Sequence, residues 1–459
     1  MWSLNALRGR FFLLTLALLL ACLAASSLFQ TWRTHRRCLI TDFGARPDGQ
    51  TLNTKAIQTA IDRCAVWGGT VVVPPGVFVS GALFFKPGVN LLLERDAVLK
   101  GSANPADYPQ VNTRWEGVER LWTSAFLNFD AMTNVLVSGE GTIDGSGDEW
   151  MQRDRTARRL LLSAADGSSP TSTNAPVGLT DLSTTQSAAV STNATGTNAP
   201  GRPRLICFSH CRNVYVTGLH CQRQAVWCLH LLYCQQVVAD HLSIRSIEHI
   251  PSSDGMDVDS CRDVIISNCV ISCFDDNITI KSGKDSDGRR VNQPSEHITI
   301  SDCVIGAGAG IAIGSEVSGS IRHVLVERCR FDGTDAAARF KSQPSRGGVI
   351  EDVVFRDIRL NHVGRAFELL LKWRMVPPIA PPAPVLTDLH DVQLIDFSGT
   401  AQSLGMLRGL PASPIHDVKF ERCNITAQHG LTLVNVRDLD LTGLPATVAE
   451  GPAIIHAAK

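Results

Sequence analysis

No excess of charge of either sign marks this chain: 43 lysines and arginines face 44 aspartates and glutamates, for a formal net charge of −1. There is no global positive field to recruit nucleic acid or an acidic membrane surface, so an anionic ligand must be held by local Arg and Lys. No Cys-x-x-Cys is matched by a second Cys or His pair, which leaves a zinc site without support. The glycine cluster Gly306-Ala307-Gly308-Ala309-Gly310 has no strand-to-helix setting and no Lys-Ser/Thr ending. That excludes a phosphate loop and favours a backbone running close under a groove. The Leu/Asn consensus of leucine-rich repeats is absent too, as is the spacing of about forty residues per blade that a propeller needs.

What the chain does have begins with an apolar run, Phe11 to Phe29, after Arg8 and Arg10. Residues 1–37 read as a signal peptide or membrane-anchor region. The basic cluster Arg33, His35, Arg36 and Arg37 leaves orientation open, and Leu19-Leu20-Ala21-Cys22 resembles a bacterial lipobox. A cleaved signal, an anchor and a lipoprotein stay as alternatives, and each implies export. Residues 38–459 read as one folded domain. It is interrupted at about 163–203 by a Ser, Thr, Ala, Asn, Gly and Pro segment expected to be a disordered loop, because it has too little apolar surface to offset its ordering entropy. The 14 cysteines recur mostly at strand edges of a repeat, where reduced thiols serve as small buried fillers. A bridge between Cys38 and Cys64 stays open in an exported protein.

Ala56, Ile57, Ala60 and Ile61 predict a short amphipathic helix over Asn53–Cys64, with Asn53 or Thr54 as its cap. Gly68-Gly69 ends it, and Thr70-Val71-Val72-Val73 opens a strand. An internal repeat then takes over, each copy a polar residue followed by β-branched ones: Asn213-Val214-Tyr215-Val216, Asp263-Val264-Ile265-Ile266, His297-Ile298-Thr299-Ile300 and more. From Val214 the equivalent positions are 237, 264, 298, 324, 353, 392 and 418. Short strands, Gly/Asn/Asp turns and this period predict an all-β chain wound as a parallel β-solenoid, with the short helix at its start.

Residues of opposite charge recur in register with the repeat. Asp254 and Asp275 are 21 residues apart, close to one coil, and stacked coils lie about 4.8 Å apart. Asp254, Asp275 and Asp276 on adjacent coils can therefore meet the roughly 6.5–9.5 Å separation of inverting glycosidase carboxyls. Clustered carboxylates also raise one another's pKa, which keeps one protonated as a general acid. Arg339 and Lys341, two apart on a strand, point the same way and repel unless an anion joins them. Lys281 is a further candidate substrate-binding cation, while Glu316 and Arg346 shape the cleft. Asp257, Asp259 and Asp263 read as ordinary solenoid-turn aspartates, and His249 and His323 as structural histidines.

These segments, together with Asp42-Phe43-Gly44-Ala45, Gly139-Glu140-Gly141-Thr142-Ile143-Asp144-Gly145 and Ile311-Ala312-Ile313-Gly314-Ser315-Glu316, make the chain from about Thr41 to Thr426 resemble glycoside hydrolase family 28, the polygalacturonase family. The resemblance implies a right-handed parallel β-helix, inverting hydrolysis of α-1,4 galacturonosyl links in an acidic pectic polysaccharide, and no metal or organic cofactor. It implies that Asp275 protonates the leaving oxygen, that Asp254 and Asp276 activate water, and that Arg339 and Lys341 bind the substrate carboxylate. The family's Asn-Thr-Asp appears as Ser252-Ser253-Asp254, and its Gly-His-Gly as Gly308-Ala309-Gly310. The expected protein is a monomer that binds pectic chains, binds no nucleic acid, and meets a membrane only through its N-terminal segment. A catalytically silent relative that binds acidic glycan, a hydrolase of another pectic chain such as rhamnogalacturonan and, more distantly, a lyase are the alternatives. Ala309→His is expected to raise polygalacturonate cleavage, since a positioned acid–base group is worth roughly 10²–10⁴-fold; new reducing ends measure it, and no gain would mean the site does not lack that group.

Overall fold

The computed structural model describes residues 36–165, 201–246, 250–373 and 380–457. Residues 1–35 of the expected signal or anchor segment, with Cys22, and also His249 and residues 166–200 of the expected loop lie outside the described residues, while the helix Gly147–Ala165 runs into the start of that loop. No helix among the described residues is long and apolar enough to cross a membrane.

Short β-branched strands cannot bury a face alone, so each coil gains stability only by lying on the next. A 32-stranded sheet of parallel pairs forms a right-handed parallel β-helix, beside a separate 2-stranded antiparallel sheet. The repeat positions fall in one column without a slip. Val214 pairs with Val237, and the column continues through Val264, Ile298, Val324, Val353, Val392 and Val418. These side chains are all buried. The polar residue leading each repeat has its own cause. Asn213, Asp263, His297, His323, Asp352, Asp391 and Asp417 have φ between 50 and 57°, the left-handed region that Asn, Asp and His enter most readily. His323 is thus a turn residue, stacked on His297 at 4.8 Å and bonded to Asp352 at 2.7 Å.

Two more columns complete the prism. One runs through Cys221, Ile244, Ile271, Ile305, Phe331 and Leu360. The other runs through Ile206, Leu229, Met256, Ile278, Ile311, Ala338 and Phe367, and its sheet carries the candidate site. The helix is Thr54–Ala65, burying Ile57, Ala60, Ile61 and Cys64. Asn53 precedes it, but its side chain bonds Arg46 and Thr51 backbone instead of capping. The 13 cysteines of the described residues are free thiols, and all but Cys38 are buried. Cys234 N donates to Cys261 Sγ at 3.2 Å, the stacking of small fillers that the repeat implied. Cys38 and Cys64 are neighbours without a bridge.

Phe367 packs edge-on against Phe397 and Phe420, both at 5.0 Å. Phe367→Ala is expected to cost about 3–5 kcal/mol in denaturant unfolding, whereas Trp67→Ala, at a residue 67% exposed, is expected to change stability by no more than about 0.5 kcal/mol.

Candidate active site

Strands Met256–Asp259, Ile278–Lys281, Ile311–Ile313 and Ala336–Lys341 lie side by side. Met256, Val258, Ile278, Ile280, Ala338 and Phe340 fill the core, so the period of two turns Asp257, Asp259, Thr279, Lys281, Arg339 and Lys341 to the opposite side. Asp257, Thr279, Ala312, Arg339 and Glu368 form one continuous row across the coils.

The acids come from the turns that lead into these strands. Gly255 N donates to the Asp276 carbonyl at 2.9 Å, and Asn277 N to the Gly310 carbonyl at 3.0 Å. The first bond continues the strand register and sets Asp254 beside Asp276, while the second falls one residue out of step with the pairing of Ile278 and Ile311. The coil partner of Asp254 is Asp276, 22 residues on, and Asp275, at the interval read as close to one coil, is the residue before it. Asp275 stands in the preceding turn, where Ser252 N donates to its carboxylate at 3.2 Å and Asp276 N at 2.9 Å. One oxygen from each of Asp254, Asp275 and Asp276 lies within 4.8 Å of the others. That is tighter than the expected window of about 6.5–9.5 Å, because two of the acids are consecutive and the third is a single coil of about 4.8 Å away.

The glycines beside Ala309 hold this turn against its neighbours. A Cβ at Gly310 (φ 88°) would lie 1.8 Å from the Ala336 carbonyl oxygen, and one at Gly308 (φ 133°) 2.6 Å from Asn277 Oδ1. Asn277 accepts from Gly310 N at 2.8 Å and donates to the Ala307 carbonyl at 3.0 Å. Ala309 N donates to the Asp275 carbonyl at 2.8 Å, so residue 309 touches the acid cluster through backbone only.

Buried charge here is matched pair by pair. Lys341 Nζ lies 2.5 Å from Asp276 Oδ2. Lys281 Nζ lies 2.6 Å from Asp257 and 3.4 Å from Asp254, over the face of Trp227 at 3.7 Å. Arg339 Nε meets Glu368 at 2.6 Å, and Arg365 meets the other Glu368 oxygen at 3.2 Å. Trp373 stands beside both Arg339 and Lys341. Burial raises the Asp254 carboxyl well above its ordinary value, and Asp257 and Asp275 add to the shift. Burial likewise raises Asp275, with Asp276 adding and Lys341 opposing. Asp257 is pushed up to about 7 by burial against the pull of Lys281. Among the described residues, the three aspartates are the one group of His, Cys, Asp or Glu close enough to hold a metal ion. Two ammonium groups already bear on them, so a cation there would have to displace or tolerate the lysines.

Behind the acids lies a second buried network. Arg114 meets Asp259 at 2.7 Å, and Arg204 donates to His230 Nδ1 at 2.7 Å. This leaves the imidazole proton on Nε2, 3.7 Å from Asp259. Burial lowers His230 to about 4, so it is neutral; Asp259, despite burial, is held below the usual carboxylate range by Arg114 and His230. Asp257 and Asp259, read as turn aspartates, are thus fully buried members of the site, and their alternation with Met256 and Val258 was a usable signal. Asp263 is exposed, as that reading expected. Arg346 is buried away from the acids on Ser315 and Asp285, while Glu316 lies 3.9 Å from Lys281.

A family model described as glycosyl hydrolases family 28 matches residues 185–441. The chain is 27% identical over 348 residues to a probable polygalacturonase of Vitis vinifera, covering 73% of this chain and 62% of that one. It is 28% identical over 341 residues to an exo-poly-alpha-D-galacturonosidase of Dickeya chrysanthemi, covering 71% and 55%. It thus spans between 55 and 62% of the length of these curated relatives. Among solved structures, an exopolygalacturonase from Thermotoga maritima superposes with a TM-score of 0.71 at 25% identity, covering 91% of this chain and 96% of that one. A family 28 exopolygalacturonase of Yersinia enterocolitica gives 0.75 at 23%, covering 92% and 77%.

Lys281→Met leaves Asp254 and Asp257 buried without their cation, which is expected to cost roughly 3–5 kcal/mol near neutral pH. Both carboxyls already sit above their ordinary values, so their protonated forms favour the fold and stability is lost as pH rises through the folded pKa. The deficit relative to the unaltered protein should therefore shrink between pH 7 and pH 4 in thermal melts; a pH-independent deficit would contradict the pairing.

Proposed function

The chain belongs to glycosyl hydrolase family 28, and we propose that it hydrolyses galacturonosyl links of an acidic pectic polysaccharide with inversion at the anomeric carbon. The observation that carries this reading is the unequal pairing of three adjacent carboxylates with cations. Asp276 has an ammonium group, that of Lys341, at 2.5 Å. Among the described residues no lysine contacts Asp275, and burial with the neighbouring Asp276 favours its protonated form. A proton donor next to an ionised acceptor is what acid–base glycoside hydrolysis requires.

Asp275 gives its proton to the glycosidic oxygen as the C1–O bond breaks. A water held by Asp254 and Asp276 attacks C1 from the opposite face and passes its proton to Asp276. Asp275 ends ionised and Asp276 protonated, and exchange with solvent resets both. With the carboxylate oxygens this close, the water sits beside the acids in the groove instead of between them; family membership supports inversion, and spacing alone does not. Lys341 acts first on Asp276, so binding of the sugar carboxylate falls mainly to Arg339, with Lys341 and Lys281 supplying the surrounding positive field. The apolar N-terminal segment, read as an export signal or anchor, would place the protein outside the cytoplasm, where such polymers are met.

A mixed pectic backbone, such as rhamnogalacturonan, is the second reading. Glu368 at 2.6 Å from Arg339 offsets the guanidinium charge and weakens the demand for a carboxylate at that position.

Release of reducing ends from polygalacturonate and from rhamnogalacturonan decides between the two. No release from either, with binding retained, identifies a silent glycan-binding relative, and an initial α-anomer product would overturn inversion. Asp275→Asn is expected to lower kcat by roughly 10²–10⁴-fold. Because the acid must be protonated, activity is lost as pH rises through the Asp275 pKa. Lys341 opposes the upward shift of that pKa, so Lys341→Met should move the alkaline limb of kcat/KM to higher pH while lowering the maximal rate.

A further inference from the structure

Strands Gln110–Trp115 and Val118–Thr123 pair antiparallel and stand apart from the solenoid ladder. They are fixed across the site face by contacts far apart in sequence. Arg114 is buried on Asp259 at 2.7 Å and Ser260 at 2.8 Å. Lys284 N donates to the Gly117 carbonyl at 2.9 Å, at the hairpin tip. Glu119 N donates to Asp287 at 2.9 Å, and its carboxylate takes Tyr233 at 2.7 Å and Arg290 at 2.6 Å. The hairpin also brings three indoles together: Trp115 stacks on Trp122 at 5.0 Å and packs on Trp227 at 4.6 Å.

The place of Trp227 gives this stack its consequence. Leu229 pairs with Met256, and Cys228 N donates to the Asp254 carbonyl at 2.9 Å, so Trp227 lies one coil before Asp254 in the column of the acids. On that side of the cluster Trp227, His230 and Leu232 are at most 3% exposed. On the other side, beyond Glu368 and Leu370, the same rows continue through Met406 and Thr432, both half-buried, and Arg408, which is exposed. The groove is roofed towards the N-terminal coils and open towards the C-terminal ones. A polymer seated over Asp275 would meet the indole stack one coil beyond the acids.

We propose that the Gln110–Thr123 hairpin closes the groove at Trp115, Trp122 and Trp227, so that the site takes the end of a pectic chain and not its interior. This rests on the pectic reading of the site. Relatives acting at chain ends and relatives named as endo-acting enzymes both match the chain, so similarity does not decide it.

The test uses the full-length protein and homogalacturonan chains that are free, capped at the reducing end, or capped at the non-reducing end. The expected result is release of one short product from the outset, slow loss of viscosity, and loss of release when one particular end is capped. An early spread of mid-length products, insensitive to both caps, would overturn the proposal. If no chain is cleaved, binding of the same three chain sets decides: sensitivity to one cap supports the closed groove while hydrolysis fails, insensitivity overturns it, and no binding to any of them overturns both readings. In the double variant W115A/W122A, cleavage or binding of the capped chains should appear. These indoles form a cluster separate from the main core; should the variant not fold, the results with the unaltered protein still decide.

Discussion

The constraint on which everything else depends is the parallel backbone ladder between successive coils. It fixes the rise at about 4.8 Å per coil and keeps the Val214 column in register from coil to coil. Residues tens of positions apart, such as Asp254 and Asp276 or Arg339 and Glu368, are made neighbours by backbone hydrogen bonds alone. The apolar side of each strand keeps those bonds in register, since a slip of one residue would turn every valine and isoleucine of the core outward.

A ladder that brings acids this close must also manage their charge. Ionised carboxylates out of water and a few ångströms apart are unfavourable unless cations join them or protons neutralise them. Both answers occur here: Lys341 and Lys281 supply charge to Asp276, Asp254 and Asp257, while burial favours protonated Asp254 and Asp275. The row below, from Arg204 through His230 and Asp259 to Arg114, is a second layer of matched charge under the first.

Features outside the repeat give the groove its shape. Among the described residues the hairpin is the one antiparallel pair outside the solenoid ladder, yet it supplies the guanidinium for Asp259 and the indoles that meet Trp227. Ala309 is the opposite case, a position inside the repeat where the side chain is too small to act. Its backbone N–H binds the Asp275 carbonyl, so residue 309 supports the acid turn through its main chain.

The sequence by itself determined the solenoid, its helix and the columns, since valine and isoleucine spacing reports directly which side of each strand is buried. It also marked the acid trio, Arg339, Lys341 and Lys281. The row containing Glu368 was legible in principle, because Glu368 follows Arg339 by the same 29 residues that separate Val324 from Val353. The interval of 21 residues from Asp254 to Asp275 read as close to one coil, and the strand register of 22 makes Asp276 the residue beside Asp254. Arg114 had no local signal, since its partner Asp259 lies 145 residues away. Only the tertiary structure decided which cation serves which carboxylate, because the lysine pairs form across coils and Arg114 reaches Asp259 from a hairpin outside the repeat.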